Sequence, residues 1–406
     1  MEKERTSIVN LLKEELFMNI VELKKGIYSV GSVDWNARSF HGYSTNRGIT
    51  YNAYLIIDEK ITLIDAVKAQ FAEELLDRIR EIIDPAKIDY IVSNHVEMDH
   101  SGGIPAVMEV AKNAVIVTAD PSGLKGLKAH YGENYNYMGV KPGDTLSLGK
   151  RSLSFVQTPM LHWPDNMVTY CPEEKILFSN DAYGQHYATS KSFDDEVDLS
   201  IALAEAKKYY ANILMLYKAQ AKKALEVTKG LDIDMIAPSH GIIWRSHVKD
   251  ILEAYEEYTS DEMNGEAVVV YDSMWHSTEK MALSIVEGFR KRGTTAYLCD
   301  LKENHISDII TLVLKAKYIA VGSSTLNNNM LPTVASFLTY LKGLTPKGDK
   351  KKAFAFGSYG WGGQSIGLVN DELIKMGYEI ITDPIKINYV PKKEQLKELE
   401  EKVAKF

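Results

Sequence analysis

Cysteine is nearly absent: the 406 residues contain two, Cys171 and Cys299, with no CxxC spacing. That excludes a disulfide framework, an all-cysteine iron–sulfur centre and a fused rubredoxin-type domain with its cysteine ligand set. Long apolar runs are missing too. No stretch reaches the roughly 18 residues that a membrane span requires, and the start, MEKERTSIVNLLKEELFMN, lacks the apolar core and small-residue cleavage site of a secretory signal. A cytoplasmic protein without membrane contact is therefore expected. Nor is there an excess of basic charge. The net charge is -8 with both signs interspersed, which leaves no basic stripe for nucleic acid. Small molecules or proteins are the expected partners, and any metal must be held mainly by histidine and carboxylate.

What is present is the composition of a globular protein, 45% hydrophobic and 25% charged. The length exceeds one ordinary core, and about two to three domains are expected. Residues 1–18 read as a short amphipathic extension with no assigned role. From Ile27 to Ala66, strand-like runs (IYSVGSVDW, TYNAYLIID, ITLIDAV) are broken by the polar turn Asp58-Glu59-Lys60. A helix pattern follows from Gln70 to Ile83, and then two strand–helix units, DYIVSN with a helix from Ile104, and AVIVTA with PSGLKGLKAHYG. The hairpin-like MVTYCPEEKILFSND and a long helical stretch from Leu199 to Lys229 lead to IDMIAPSHG. This mixture fits a sandwich of two sheets with helices outside, over 19–260. A charged helix stops near Tyr258 to Asn264, and beyond it five strand–helix alternations predict a doubly wound parallel sheet over 261–406.

The densest chemistry is HVEMDH, residues 95–100, in which His95, Glu97, Asp99 and His100 can all ligate a metal. On a helix these side chains diverge. On a loop leaving a strand they converge, and Gly102-Gly103 permit a tight backbone there. More donors must come from elsewhere, and His162, Asp181 and His240 each end or follow a strand-like run, where side chains gather at one sheet edge. Four histidines and three carboxylates suit a pair of metals with a bridging carboxylate. His130, His186, His247 and His305 read as ordinary surface or core histidines.

At these residues the chain resembles the metallo-β-lactamase fold, and specifically its flavodiiron branch. Hydrolases of that superfamily generally carry HxHxDH and prefer zinc; here Glu97 replaces the middle histidine, a hard oxygen donor that favours iron or manganese. The resemblance implies one iron on His95, Glu97 and His162, another on Asp99, His100 and His240, and Asp181 as the bridge. It also implies that His41 and Tyr209 lie near the metal pocket without ligating.

Beyond residue 260, three loops follow the first, third and fourth strands. In DSMWHSTEKMA, hydroxyls of Ser273, Ser277 and Thr278 beside a helix N-terminus favour a phosphate; Met274 and Trp275 share the loop. The second, GSSTLNNNMLP, holds Ser323, Thr325, Leu326, Asn327 and Asn328. In the third, GSYGWGGQS, Ser358, Gly360 and Gly362 flank Tyr359 and Trp361, aromatic rings able to stack on a planar ring. No GxGxxG and no Walker lysine occur. Together the loops resemble those of flavodoxin and imply FMN at the switch point of the sheet. His276 and Ser324 depart from that pattern, standing where a smaller residue and a proline are expected.

The resemblance implies an α/β protein in which a metallo-β-lactamase-like αββα sandwich precedes a flavodoxin-like sheet. The implied activity is a flavodiiron oxidoreductase that takes dioxygen to water, or nitric oxide to nitrous oxide, with electrons passed through FMN. A separate rubredoxin, a reduced deazaflavin coenzyme or another carrier is the implied donor. A head-to-tail homodimer, or a dimer of such dimers, would set each FMN beside its partner's irons. Two other readings fit fewer residues: a zinc hydrolase with an accessory flavodoxin domain, against which Glu97 argues, and a flavodoxin-type carrier with an inert first domain.

Overall fold

A computed structural model of the chain describes residues 20–406; the extension expected over 1–18 lies outside them. Contacts divide the chain into two compact units. The first takes the residues up to Ala37 with Arg47–Ala202 and Lys229–Ile251, and the second takes Arg38–Asn46, Leu203–Thr228 and Leu252–Phe406.

Two large sheets form the body of the first unit, beside a short two-stranded one of Ser32–Asp34 and Ile49–Tyr51. One runs Val21–Lys24, Ile27–Ser29, Tyr54–Ile56, Thr62–Ile64, Tyr90–Ser93, Val115–Ala119, Asn136–Val140 in spatial order. It is antiparallel as far as Thr62–Ile64 and parallel beyond. The other orders Thr145–Ser147, Ser152–Gln157, Met167–Cys171, Ile176–Asn180, Met235–Pro238, and only its last pair is parallel. Ile56, Ile64, Val92 and Val117 from one sheet share a single core with Phe155, Cys171, Ile176 and Phe178 from the other. The alternation in Ser152–Gln157 explains its part: Leu153 and Phe155 go inward, Ser152 and Ser154 do not. Amphipathic helices complete the unit. Ala72–Ile82 buries Leu75, Leu76 and Ile79, and Ser122–Tyr131 lies against the strand Val115–Ala119.

The second unit carries one parallel sheet in the order Ala296–Asp300, Ala267–Asp272, Tyr318–Ser323, Lys352–Tyr359. This is the doubly wound arrangement, in which the first strand lies inside the second. Its central strands are buried at every position, as expected when helices cover both faces. The last strand is shorter than the sequence suggests. EIITDPIKI splits into Glu379–Ile380 and Ile385–Asn388, both paired to Lys352–Tyr359, because Pro384 offers no backbone donor to the ladder.

Two other features depart from the sequence reading. The stretch from Leu199 to Lys229 is not one helix: a π-helical turn, Tyr210–Leu214, and a short tight turn, Met215–Tyr217, separate Leu199–Tyr209 from Lys218–Lys229. Nor do the contacts follow one cut at residue 260. The hairpin of Ser39–Phe40 and Tyr43–Ser44 belongs with the second unit, where the amide and hydroxyl of Ser44 meet the Ser307 hydroxyl at 3.1 and 2.9 Å. Asn212 donates to the Ser307 carbonyl at 3.0 Å, and the Lys208 ammonium to the Ser44 hydroxyl at 2.9 Å. Polar residues make these ties, so no hydrophobic period announces them.

Candidate metal centre and cofactor loops

Strand ends deliver most of the donors in the first unit. His95 lies two residues beyond Tyr90–Ser93, Asp181 directly follows Ile176–Asn180, and His240 lies two beyond Met235–Pro238. His162 comes from the longer loop after Ser152–Gln157. Within HVEMDH the backbone changes character. His95 to Glu97 prolong the strand as a loop, whereas Met98–Ser101 form one helical turn that carries Asp99 and His100, so the motif is not wholly a loop. Gly102 makes that turn possible. A Cβ there would sit 2.4 Å from the Met98 carbonyl oxygen and 2.7 Å from the Ala69 nitrogen. Its φ of -60° is ordinary, so close approach, rather than left-handed backbone, is what requires glycine.

The seven donors fall into two groups, His95, Glu97, His162 and Asp181, and Asp99, His100 and His240. Glu97 Oε2 lies 3.3 Å from His95 Nε2 and 3.2 Å from His162 Nε2. Asp99 faces His100 Nε2 at 3.5 Å and His240 Nε2 at 3.3 Å. Asp181 faces both groups. Its Oδ2 lies 3.8 and 3.6 Å from the Nε2 atoms of His95 and His162, and its Oδ1 lies 3.0 and 3.5 Å from those of His100 and His240. Two donors each about 2.1 Å from one ion sit roughly 3.0–3.5 Å apart at ordinary coordination angles, so the spacing fits metal-sharing pairs. Both carboxylate oxygens of Asp99 and both ring nitrogens of His100 are buried without a hydrogen bond of ordinary geometry among the described residues. Such groups are costly unless something else satisfies them. The residues present fit a two-metal site.

Electrostatics agrees. Burial pushes the His100 pKa down, but the carboxylates of Asp99 and Asp181 overcome it and raise it to about 9. Burial likewise opposes protonated His95, and hydrogen bonds to Asp165 and Glu97 reverse the direction. Burial would lift Asp181, yet His100, His95 and His162 hold it well below the usual carboxylate range. In the metal-free chain, protons on imidazole do what cations would do.

The residues that hold the donors were the part that sequence reading missed. Asp165 Oδ2 accepts from His95 Nδ1 at 2.9 Å and from the Val96 amide at 2.7 Å. His240 Nδ1 lies 2.7 Å from the Thr50 carbonyl oxygen, which only accepts, so that nitrogen carries the proton and Nε2 keeps its lone pair for the centre. Asp65 is wholly buried and takes four hydrogen bonds: from the Asn94 amide and side chain at 2.8 and 3.0 Å, from Asn180 at 3.3 Å, and from the Ser239 hydroxyl at 3.2 Å. Each donor residue immediately precedes a metal-ligating candidate: His95, Asp181, His240. A lone aspartate in the apolar run ITLIDAV was the available signal. His41 and Tyr209 belong to the second unit, His41 exposed and Tyr209 buried. Of the other histidines, His130 and His305 are exposed and His247 is half-buried. His186 is buried, its ring edge-on to His240 with centroids 5.0 Å apart.

In the second unit the three loops meet through Thr278, whose hydroxyl lies 3.0 Å from that of Ser324 and 3.1 Å from that of Ser358. The departure at Ser324 is thus a hydroxyl that ties loop to loop. Below the helix Ser277–Lys291, the Ser273 hydroxyl is buried with no hydrogen-bond partner among the described residues, as a cradle for a phosphate oxygen would be. Asn327 and Asn328 take φ of 49° and 60° in the turn closed by Leu326 and Asn329, a conformation asparagine tolerates. Thr325 meets Ser365 at 2.8 Å, and the Ser323 hydroxyl accepts from the Leu331 amide. Tyr359 and Gly360 are half-buried, Met274 and Gly362 exposed. Trp275 and Trp361 stand out at 84% and 90% exposure. His276, at φ 61°, is exposed and bonds to Glu279.

Fold and site together define a two-domain oxidoreductase, a β-lactamase-like domain with a two-metal donor set followed by an FMN-type flavodoxin domain. The family model of the ODP family beta lactamase matches residues 49–241, and that of flavodoxin matches residues 269–402. A nitric oxide reductase of Moorella thermoacetica is 47% identical over 393 residues, 95% of this chain and 98% of that protein. A rubredoxin-oxygen oxidoreductase of Megalodesulfovibrio gigas is 42% identical, covering 96% and 98%. The crystal structure of the flavodiiron protein from Giardia intestinalis superposes with a TM-score of 0.92 at 38% identity, covering 96% of each chain. The chain belongs to the flavodiiron proteins.

Proposed function

We propose that this protein reduces dioxygen to water, or nitric oxide to nitrous oxide, at a diiron centre held by His95, Glu97, His162, Asp99, His100 and His240, with Asp181 as the bridge. One observation carries the reading: the two oxygens of Asp181 face different imidazole pairs, at 3.6–3.8 Å on one side and 3.0–3.5 Å on the other. When bound, FMN stores the incoming electrons and the iron pair is where the gas is reduced. The chain's own contribution is positional. Asp165 and the Thr50 carbonyl hold the Nδ1 protons of His95 and His240, which leaves Nε2 basic and aimed at the centre. Three carboxylates among four imidazoles favour hard ions and their oxidised states.

In the second unit, Ser273, Ser277 and Thr278 would hold the FMN phosphate. Loops carrying Met274, Trp275, Ser323, Thr325, Leu326, Asn327 and Asn328, with Ser358, Tyr359, Gly360, Trp361 and Gly362, would frame the ring. Along the chain we propose borders of 19–260 for the metal-binding part and 261–406 for the FMN-binding part, although Arg38–Asn46 and Leu203–Thr228 group by contact with the second unit. Exposed Met98 and Trp163 flank the donors of one unit, and exposed Trp275, Trp361 and Tyr389 surround the loops of the other. These apolar surfaces support a head-to-tail homodimer that covers both. A soluble carrier, a rubredoxin or a reduced deazaflavin, is the proposed electron donor. His41 and Tyr209 are proposed as residues that serve the reaction without ligating a metal.

Metal and flavin analysis combined with stopped-flow mixing of the reduced protein against each gas tests this. Two irons and one FMN per chain, with rapid oxidation by at least one gas, is the expected result. Two zincs with hydrolytic activity and no gas consumption would overturn it.

A further inference from the structure

Away from the loops just described, the second unit contains a cavity of about 370 Å³. Its walls come from Ser260–Met263 ahead of the strand Ala267–Asp272, from Leu314 and Lys315 ahead of Tyr318–Ser323, and from Pro346–Lys351 ahead of Lys352–Tyr359. These are the amino-terminal ends of parallel strands, whereas the cofactor loops follow the carboxyl ends. A strand of six residues at about 3.3 Å per residue puts the two places roughly 20 Å apart.

The lining is rich in donors and poor in free acceptors. Lys315 and Lys351 are 5% and 4% exposed. Lys315 donates to the Glu257 carbonyl at 2.7 Å and to the Ser260 hydroxyl at 2.8 Å. Lys351 donates to the Leu314 carbonyl at 3.2 Å and lies 3.5 Å from Asp349. An ammonium has three N–H donors, so each retains one. Tyr210 also lines the cavity, and its hydroxyl is buried with no hydrogen-bond partner among the described residues. Lys218 pairs with Asp261 at 2.7 Å and Lys351 with Asp349. That leaves the buried Lys315 and, exposed at the rim, Lys347 and Lys350 without an ion pair among the described residues, against the exposed Glu262. In a chain of net charge -8, this concentration of positive charge is local to the cavity.

We propose that this cavity is a binding site for a small diphosphate-bearing anion. Buried, unpaired donors demand an acceptor, and lysine is a point-charge ligand for phosphate oxygens. The volume exceeds by an order of magnitude the roughly 30 Å³ that one water occupies, so there is space for more than a single inorganic ion. Burial lowers the ammonium pKa of both Lys315 and Lys351, and Lys218 adds repulsion to each; a bound anion would reverse both effects. By bridging Lys315 and Lys351 it would also fasten the 258–263 segment to the 346–351 loop.

Isothermal titration of the iron- and FMN-loaded protein with inorganic pyrophosphate tests the site. One saturable site per chain is expected, with orthophosphate at least tenfold weaker. Lys315→Gln keeps a polar N–H donor, one carbon shorter, and removes the charge, and Tyr210→Phe removes only the hydroxyl. Each should weaken pyrophosphate binding by about fivefold to tenfold and leave gas consumption unchanged. Hydrogen exchange should slow in 258–263 and 346–351 on binding. Absence of saturable binding, orthophosphate binding of equal strength, or affinity unchanged in both variants would overturn the proposal.

Discussion

Asp65→Asn separates the shape of the metal centre from its hydrogen bonding. The substitution is nearly isosteric, and asparagine tolerates the left-handed φ of 54° found there, so backbone strain does not enter. The consequence falls on Oδ2, which accepts from the Asn94 and Asn180 side chains and the Ser239 hydroxyl. If the new amide keeps its oxygen toward the Asn94 backbone N–H, its NH₂ faces three donors. Ser239 can rotate to accept. Asn94 cannot flip without losing its 2.6 Å bond from Thr169. Two donor–donor conflicts remain, and at about 1–3 kcal/mol for each buried unsatisfied group the expected loss is about 2–6 kcal/mol. Because Asn94, Asn180 and Ser239 immediately precede His95, Asp181 and His240, the loss should also appear as iron content below two per chain, with FMN content unchanged. Urea unfolding followed by iron and flavin quantification reads both. Wild-type stability with a full complement of iron would refute the reasoning.

Asp165→Asn replaces the anionic acceptor of His95 Nδ1 and the Val96 amide, and iron affinity should fall by about 10- to 100-fold, measured as faster release to a chelator. Glu97→His restores the histidine pattern of the zinc hydrolases, and metal analysis after expression with both metals should show zinc displacing iron. After metal removal, thermal stability should depend on pH in a direction set by the raised pKa of His100, about 9 when folded. That contribution is fully present below the unfolded value of about 6.5 and is lost as pH rises through about 9. The lowered carboxyl of Asp181 acts oppositely, stabilising above its ordinary range and losing effect as pH falls. Melting curves of the metal-free protein should therefore peak in mildly acidic solution, and restoring metal should flatten the alkaline decline. A metal-free melting temperature still rising above pH 9 would contradict the assignment.

Much of the fold could be read from periodicity, because sheets and helices bury side chains at fixed spacing. Tyr90–Ser93, Ile176–Asn180 and Met235–Pro238 all appeared as apolar runs ending near a potential ligand, and the donor set followed from that coincidence. What escaped were interactions without a period. Asp165 and Thr50 each meet a histidine ring through one hydrogen bond, at 70 and 190 residues' separation from the histidines they hold. The attachment of Ser44 and Asn212 to Ser307 is polar and long-range, and it groups Arg38–Asn46 and Leu203–Thr228 with the second unit. The π-helical turn at Tyr210–Leu214 was hidden because all of its residues are compatible with an ordinary helix.

The alternation of strand side chains makes the centre inseparable from sheet register. In Asn94-His95, Asn180-Asp181 and Ser239-His240 the first residue bonds to Asp65 and the second presents a metal donor. Asp65 is itself fixed, since its amide donates to Val92 at 2.7 Å and the next amide, of Ala66, donates to His100 at 2.8 Å. A one-residue slip of Ile176–Asn180 would exchange the two faces, putting Asn180 among the donors and Asp181 against the Asp65 carboxylate. Two buried carboxylates in contact are strongly unfavourable, and Asp181 would no longer face both groups of imidazoles. The aspartate that no ligand motif contains thus enforces the register that brings Asp181 between the two groups of imidazoles.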